Sequence, residues 1–425
     1  MTNFEIVKGT KDSTPDQQIK INKILNIIKK NFENYGFRPF DTPIIEYFDI
    51  LTLKYDEDAE ISQEIYKLKD RGKRNLGLRY DLTTPLSRFI ASQKQLKKPF
   101  RRYQIGKVFR DGPIKKGRLR EFIQCDGDVI GINGIEIEAE LLIMFYNTFK
   151  DLKINPIIEL NNNKILRGAL LQQNINEKDL SQIILSIDKL KKIGIDGVLN
   201  EIKQKNFNIN KIKQAIEILN SKTFDEIKKI AKNNLLIEGI NELEELINLI
   251  KKFNVNFKIN FSMSRGLDIY TGNIWEAYEI TDIIKSSIGS GGRYNKIIGE
   301  YSGSNEEIPA TGISFGLVPI LACLENNKEY QEKQGLTDIL IVPLNQKLIP
   351  QSFEIANSIR QDINNKQQNI EIFYEYKLKK AFSYVEYLGC DKIIIVGEKD
   401  IQNNEYTIKT LSTKQQQKIT FNYKN

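Results

Sequence analysis

The spacing of the apolar residues changes along this chain, and each change marks a different kind of structure. Up to about residue 156, short β-like runs such as Asn75–Tyr80 and Tyr103–Arg110 alternate with helical stretches such as Thr84–Gln95 and Glu136–Lys150. The apolar residues then follow helical spacing to about residue 253. A glycine-rich, strand-like sequence returns from residue 256 to residue 317. The stretch 338–396 follows the order β-α-β-α-β, which predicts a small parallel sheet. We therefore expect a mixed α/β (α+β) protein.

These changes predict four parts. Residues 1–165 and 254–325 form one sheet domain, and a mostly helical insertion at 166–253 interrupts it. The insertion is predicted from apolar stripes within Leu180–Leu190 and Ile240–Ile250. A polar linker at 326–335 leads to a separate α/β domain at 336–425. The first helix has marked ends, since Thr14 and Gln17 match a capping box and Gly36 suits a left-handed exit.

The composition restricts the chemistry. Among its 425 residues the chain has no histidine, which excludes Ser-His-Asp and Cys-His nucleophiles, histidine-ligated zinc and an imidazole base. Cys125, Cys323 and Cys390 stand far apart, so we predict neither a disulfide framework nor a metal site of the protein's own. No uncharged apolar run approaches the roughly 20 residues that span a bilayer, and we expect an intracellular protein without a membrane partner.

A basic segment, Lys97–Arg120, holds ten cations against one acid, Asp111. Arg110, Arg118 and Arg120 flank a predicted turn between two strands, where they could converge on one polyanion. Guanidinium groups pair phosphate oxygens bidentately, so phosphate binding is the natural interpretation. A solvated basic hairpin is the alternative.

Polar side chains also share one face of the strand that follows. Alternation places Phe122, Gln124, Asp126 and Asp128 on the same side. Carboxylates are costly to bury without partners, so this face either lines a polar pocket or faces solvent. Two glycine-rich clusters, Ser264–Gly272 and Gly289–Tyr294, permit close backbone approach to a ligand, although each alone is weak evidence.

In this order the motifs resemble the class II aminoacyl-tRNA synthetases, and among them the histidyl-tRNA synthetase family. Lys8–Asp12 is similar to the family's N-terminal signature, Arg38–Glu46 to motif 1 and Phe109–Phe122 to motif 2. The histidine-specific elements are matched by Leu78–Thr83, Gln124–Asp128 and Arg265–Gly272. The resemblance implies an antiparallel-sheet catalytic domain with a helical insertion, a C-terminal α/β anticodon-binding domain, and a homodimer with Pro43 at its interface.

The resemblance further implies a cytoplasmic enzyme that activates L-histidine with ATP and transfers it to histidine tRNA. Arg110 and Arg265 would be catalytic, on opposite sides of the α-phosphate, and Mg²⁺ would be bound with ATP. Phe122, Arg118 and Arg293 would complete the ATP site. Asp81, Thr83 and Gln124 match the positions that hold the α-amino group, whereas Asp128 and Tyr270 match those that bind the imidazole. Ile269 stands where the family commonly has a second tyrosine.

One departure concerns motif 3, which usually ends with an arginine on the γ-phosphate. This chain has Val318 and Pro319 there. Either Arg293, Lys107, Arg118 or metal ions replace that arginine, or ATP binding is weakened. The alternatives to an enzyme are a catalytically silent histidine-sensing paralogue, such as the regulatory subunit of ATP phosphoribosyltransferase, and a tRNA-binding sensor module.

Overall fold

The structure is a computed structural model that describes residues 4–53, 60–93, 95–114, 118–264, 269–281, 284–304, 306–325, 335–361 and 368–423. By its contacts the chain divides into two compact units. One consists of Met1–Asp12 with Ile24–Lys328, and the other of Ser13–Lys23 with Glu329–Asn425. The finer division into four parts remains a prediction.

Helix α1 (Pro15–Asn34) begins as its sequence predicts. Gln17 N donates to Thr14 Oγ1 at 3.4 Å, and Thr14 N donates to Gln17 Oε1 at 3.3 Å, which forms the capping box. Beyond the end of the helix Gly36 has a φ of +76°, the left-handed conformation that glycine adopts without strain.

The first unit follows with strands and helices in the expected alternation. In chain order they are β1 (Arg38–Pro39), β2 (Ile45–Tyr47), α2 (Phe48–Thr52), α3 (Glu60–Gln63), β3 (Lys67–Lys69), β4 (Asn75–Leu78), α4 (Thr83–Ser92), β5 (Phe100–Phe109), β6 (Glu121–Ile130), α5 (Ile135–Asp151), β7 (Pro156–Asn162), α6 (Asn163–Gln172), α7 (Leu180–Ile187), α8 (Leu190–Gln204), α9 (Ile209–Leu219), α10 (Phe224–Ile230), α11 (Asn234–Ile250), β8 (Phe257–Ile259), β9 (Asn273–Glu279), β10 (Gly289–Arg293), α12 (Ile297–Tyr301), β11 (Ala310–Gly316) and α13 (Leu317–Glu325).

The main sheet has the order β1-β5-β6-β11-β10-β9-β7-β8 among the described residues. Its pairs are antiparallel except for β1 with β5 and β7 with β8 at the edges, which confirms the predicted antiparallel sheet. One face is apolar, since Phe315 of β11 packs against Phe145 and Phe149 of α5 and Phe32 of α1. The opposite face is therefore left for polar side chains.

The predicted helical region is present as α6 to α11. Both apolar stripes face its interior: Leu180, Ile183, Ile184 and Ile187 of α7 are buried, as are the apolar residues of α11 from Leu236 to Ile250 that follow helical spacing. A second, three-stranded sheet has the order β2-β4-β3.

The second unit contains the predicted parallel sheet. Its elements are β12 (Ile339–Pro343), α14 (Ile349–Gln361), β13 (Ile370–Ile372), α15 (Leu378–Leu388), β14 (Lys392–Val396), α16 (Glu398–Gln402), β15 (Glu405–Thr410) and β16 (Gln416–Thr420). Strands β13, β12 and β14 are parallel, and β15 and β16 add an antiparallel hairpin at one edge. Sequence analysis missed this hairpin because its outer strand is largely exposed and polar.

Two further features concern membrane-spanning helices and the cysteines. Among the described residues, no helix combines the length and apolar character needed to cross a membrane. All three cysteines are buried and none of them forms a disulfide, and burial raises the pKa of the Cys125 and Cys323 thiols.

Candidate active site

The polar face of the main sheet carries paired acids and bases. Across β5 and β6, Arg102 lies opposite Asp128 and Gln104 lies opposite Asp126. On the other side β11 places Gly312 opposite Asp128. A β-carbon at Gly312 would lie 2.2 Å from Asp128 Oδ1, so only glycine leaves room for that carboxylate. The Asp128 carboxylate and the Tyr294 ring occupy the space that a side chain at position 312 would need.

Asp128 is held from two sides. Arg102 Nη2 lies 2.6 Å from Asp128 Oδ2, and both side chains are almost completely buried. The Tyr294 hydroxyl donates to Asp128 Oδ1. Burial raises the pKa of Asp128, while the charge of Arg102 and the hydrogen bond from Tyr294 act against that rise. The carboxylate predicted to bind the imidazole is thus fixed in position.

Next to this pair lie buried acceptors without partners. Among the described residues, Asp126 Oδ1, Gln104 Oε1 and Gln124 Oε1 are buried and accept no hydrogen bond. Burial raises the pKa of Asp126 to about 7, and the charges of Asp128 and Asp81 add to the rise, whereas Arg102 and Ser314 oppose it. An amino acid's ammonium group supplies three donors, so acceptors of this kind suit a cationic ligand.

The raised pKa of Asp126 makes stability depend on pH. Because the folded state holds this proton more tightly than the unfolded state, where the pKa is near 3.8, the contribution of Asp126 to stability is greatest at low pH and is lost as pH rises toward about 7. Asp126→Asn removes this dependence. We expect the Tm of wild type relative to the variant to fall by about 2–5 °C between pH 4 and 7 and then to level off. Thermal unfolding of both proteins across this range measures it, and a constant difference would refute the assignment.

Asp81 lies at the start of α4 and close to the other acids. Its Oδ1 accepts a hydrogen bond from Thr84 N at 2.9 Å, so the carboxylate caps the helix that begins at Thr83. Its charge contributes to the pKa shifts of Asp126, Asp128 and Arg110. Asp81 therefore lies within electrostatic range of Asp126 and Asp128.

Arg110 projects into the same region. Its Nε donates to the Tyr80 carbonyl at 3.0 Å, and its guanidinium lies 5.3 Å from the centroid of the Phe122 ring. Burial lowers the pKa of Arg110, while the carboxylates of Asp81 and Glu64 oppose the shift. Within the described part of the chain no carboxylate pairs with its Nη1 or Nη2 atom. The two Nη atoms of this positioned cation, which carry four N–H donors, thus remain for a ligand.

Several other cations of the basic segment pair with carboxylates. Arg118 Nη2 lies 2.7 and 2.9 Å from the two carboxylate oxygens of Glu64. Arg120 pairs with Asp111 at 3.0 Å, and Lys107 pairs with Glu121. Much of this positive charge is therefore compensated by nearby carboxylates, and the contact of Arg118 with Glu64 uses only its Nη2 atom.

Arg293 has a different environment from the one predicted. Its Nε lies 2.8 Å from Glu138 Oε1, and its Nη2 lies 2.5 Å from Glu242 Oε2. Two carboxylates, one from α5 and one from α11, thus pair with this guanidinium. This placement gives no support to the prediction that Arg293 binds ATP or replaces the motif 3 arginine.

The remaining predicted residues are partly described. Ile269 is buried in an apolar cluster with Tyr294, and Tyr270 lies beside Gly292. Pro43 is exposed, and Val318 and Pro319 lie on α13. Arg265, the second predicted catalytic arginine, lies outside the described residues. No group of three acidic or thiol side chains that could hold a metal ion occurs in the described ranges.

Sequence reasoning missed Arg102, Tyr294 and Glu64. The signal for Arg102 was its place in β5, because the antiparallel register puts it opposite Asp128. Tyr294 is the last residue of the second glycine-rich cluster, where the glycines alone suggested close approach to a ligand. Glu64 had no recognisable motif around it.

Three comparisons with known proteins agree. The model of the histidyl-tRNA synthetase family matches residues 9–320, and the anticodon-binding-domain model matches residues 338–423. Histidine--tRNA ligase 1 of Bacillus cereus is 38% identical over 99% of this chain and 98% of its own length. The crystal structure of histidyl-tRNA synthetase from a Nostoc species superposes with a TM-score of 0.83 at 26% identity, covering 99% of this chain and 97% of that one.

A more distant structure bears on the sensing alternative. An ATP phosphoribosyltransferase regulatory subunit/histidyl-tRNA synthetase from Bacillus halodurans superposes with a TM-score of 0.74 over 93% of this chain and 98% of its own. Its identity is 18%, so it shows the shared fold alone. The fold, the polar face with its buried acids and the matches over nearly the whole length lead to one assignment: the chain belongs to the histidyl-tRNA synthetase family.

Proposed function

We propose that this protein ligates L-histidine to histidine tRNA through a histidyl-adenylate. The observation that carries the proposal is the joint placement of a buried acidic cluster, formed by Asp81, Asp126 and Asp128, and a guanidinium at Arg110 whose Nη atoms pair with no described carboxylate. An acidic cluster suits the ammonium and imidazole groups of histidine, and a positioned guanidinium suits the phosphate of ATP.

In the first step the histidine carboxylate attacks the α-phosphorus of ATP and pyrophosphate leaves. Two anions approach each other, so the transition state needs fixed positive charge. Arg110 supplies it from a position set by the Tyr80 carbonyl and the Phe122 ring. Arg265 is proposed as the second cation from the family resemblance. The attacking carboxylate is already ionised, so no protein base is required.

Histidine selection is assigned to the acids of the sheet face. We assign the α-ammonium to Asp81, Thr83 and Gln124, and the imidazole to Asp128 and Tyr270, with Ile269 in the wall. Because Arg102 and Tyr294 fix the Asp128 carboxylate, it can accept from one ring N–H in one orientation. A site that hydrogen-bonds its substrate in this way rejects analogues lacking those groups by about 10⁴–10⁵.

ATP is assigned to the hairpin between β5 and β6. Phe122 is placed against adenine and Arg118 on the phosphate chain, where a phosphate oxygen would compete with Glu64 for the guanidinium. Mg²⁺ enters as part of the ATP substrate, neutralising the pyrophosphate. We also propose that Arg118 compensates for the arginine missing from motif 3.

In the second step a ribose hydroxyl at the 3′ end of the tRNA attacks the adenylate and AMP leaves. Anticodon recognition is assigned to the second unit, whose sequence matches the anticodon-binding family model. Exposed Tyr374, Phe382 and Tyr387 around α15 offer ring faces for unstacked bases, and the nearby lysines offer charge for the RNA backbone. We place this reaction in the cytoplasm.

Exchange of labelled pyrophosphate into ATP tests the proposal. Purified protein should catalyse this exchange only when L-histidine is present, and should then charge histidine tRNA. Omission of histidine and replacement by another amino acid are the controls. Histidine binding without exchange would overturn the proposal and favour the sensing paralogue.

We further propose that the enzyme is a homodimer that pairs around motif 1. Pro43 is exposed, and next to it Ile44, Ile45 and Tyr47 are 42%, 51% and 52% exposed. Adjacent apolar side chains on a strand edge are typical of a surface that a partner covers. A second copy of the chain is the occupant that the family resemblance implies.

Ile45→Glu is expected to dissociate this dimer, because a charge buried against an apolar surface lacks a partner. Light scattering at micromolar concentration should show a change from twice the chain mass to the 49.2 kDa of one chain. Ile237→Glu on α11, at a site that is 39% exposed, is the matched control and should leave the mass unchanged. A dimeric Ile45→Glu variant would exclude this strand from the interface.

A further inference from the structure

The segment Ile269–Gly272, which carries Tyr270, is fixed to two different parts of the first unit. On one side Thr271 N donates to the Arg293 carbonyl at 2.8 Å, at the end of β10. On the other side Asn163, the first residue of α6, donates from its side chain to the Tyr270 carbonyl and from its backbone N to the Gly272 carbonyl. The helical region thus contacts the candidate histidine site directly.

The Arg293 guanidinium also packs against the backbone of the segment Ile269–Gly272. A β-carbon at Gly272 would lie 2.1 Å from Arg293 Nε, so the backbone of the segment lies directly against the guanidinium. Any displacement of Arg293 would therefore also displace Gly272 and its neighbours. The position of Arg293 in turn depends on the two carboxylates that hold it.

These carboxylates come from different helices. Glu138 of α5 is completely buried, and its Oε2 also accepts from Asn273 Nδ2 at 2.6 Å. Glu242 of α11 pairs with Arg293 through Oε2 and with Lys164 through Oε1, the latter at 2.8 Å. Asn162 Nδ2 also donates to Glu242 Oε2 at 2.8 Å. Glu242 therefore links α11 to both the start of α6 and the end of β10.

Such a network contributes little net stability, because the loss of hydration of buried charges offsets their attraction. Its geometric effect is larger, since each carboxylate oxygen of Glu242 has an assigned donor. We propose that Glu242 is a positioning residue, which fixes the segment Ile269–Gly272 through Arg293 and so sets the affinity of the site for histidine. This inference takes the identity of the ligand from the proposed function.

Glu242→Gln tests the proposal by removing the charge while keeping the shape. We expect the KM for histidine in pyrophosphate exchange to rise about 10-fold, with the KM for ATP and the kcat changed less than about 2-fold. Glu244→Gln is the matched control on the same helix, since Glu244 pairs with Lys228 at 2.6 Å on the surface. It should leave all three constants unchanged. Equal increases in both KM values for Glu242→Gln, or none, would overturn the proposal.

A second variant and a second measurement separate this inference from the proposed function. Asn163→Ala removes the side-chain hydrogen bond to Tyr270 without altering buried charge, and should raise the KM for histidine about 3- to 10-fold. Hydrogen–deuterium exchange of a peptide containing Thr271 needs no catalysis. We expect faster uptake there in Glu242→Gln than in wild type or Glu244→Gln. Unchanged uptake would refute the positioning role even if the protein catalysed no exchange, a result that would refute the proposed function separately.

Discussion

Arg110→Ala is expected to reduce kcat for histidine-dependent pyrophosphate exchange by about 10²–10³. The reason is that Arg110 is a preorganised cation: its Nε donates to the Tyr80 carbonyl and its guanidinium carbon lies over the Phe122 ring. Alanine removes the charge where the α-phosphate oxygens become more negative in the transition state. Because histidine binds through other residues, its KM should change by less than about 3-fold.

Arg110→Lys distinguishes the guanidinium fork from the charge alone. Lysine keeps the positive charge but loses the planar pair of donors and the hydrogen bond to Tyr80, so we expect an intermediate loss of about 10-fold. Single-turnover formation of the adenylate measures both variants, and circular dichroism verifies their folding. A loss below 10-fold for alanine would exclude Arg110 from the reacting centre.

Asp128→Asn is expected to have the second-largest effect, on stability as well as on binding. The substitution leaves the Arg102 guanidinium buried beside a neutral amide, and an unpaired buried charge costs about 3–5 kcal/mol. It also replaces the acceptor proposed for the imidazole, so the KM for histidine should rise by about 10- to 100-fold. Denaturant unfolding and pyrophosphate exchange measure the two effects separately.

A double-mutant cycle with Arg102→Met shows whether the pair acts as a unit. Each single variant leaves one buried charge without its partner, whereas the double variant leaves none. We therefore expect the double variant to be more stable than the sum of the two single effects predicts, by about 1–3 kcal/mol. Additive losses would mean that Arg102 and Asp128 are not coupled, in contradiction to their 2.6 Å separation.

Much of the fold and of the candidate site is predictable from the sequence because it depends on local periodicity. Strand alternation alone places Gln124, Asp126 and Asp128 on one face, and the structure has them on the polar side of β6. The parallel core of the second unit follows equally from its β-α-β-α-β order. Both depend on residues that are near one another in the chain, where spacing determines direction.

The partners of these residues are not predictable in the same way. Ten cations of the basic segment look alike in sequence, and only the register of β5 against β6 selects Arg102 as the partner of Asp128. Arg293 follows four small residues and so resembles a ligand contact, yet Glu138 and Glu242 contact it from helices far away in the chain. Tertiary pairing decides which charges remain available to a substrate.

The buried cysteines have a practical consequence for experiments on this protein. A thiol reacts as the thiolate, and the burial of Cys125, Cys323 and Cys390 keeps each of them from solvent. A new cysteine at an exposed position would thus be the one readily labelled by maleimide dyes in the native state. Fluorescent probes could then report movements during tRNA charging without prior removal of the natural thiols.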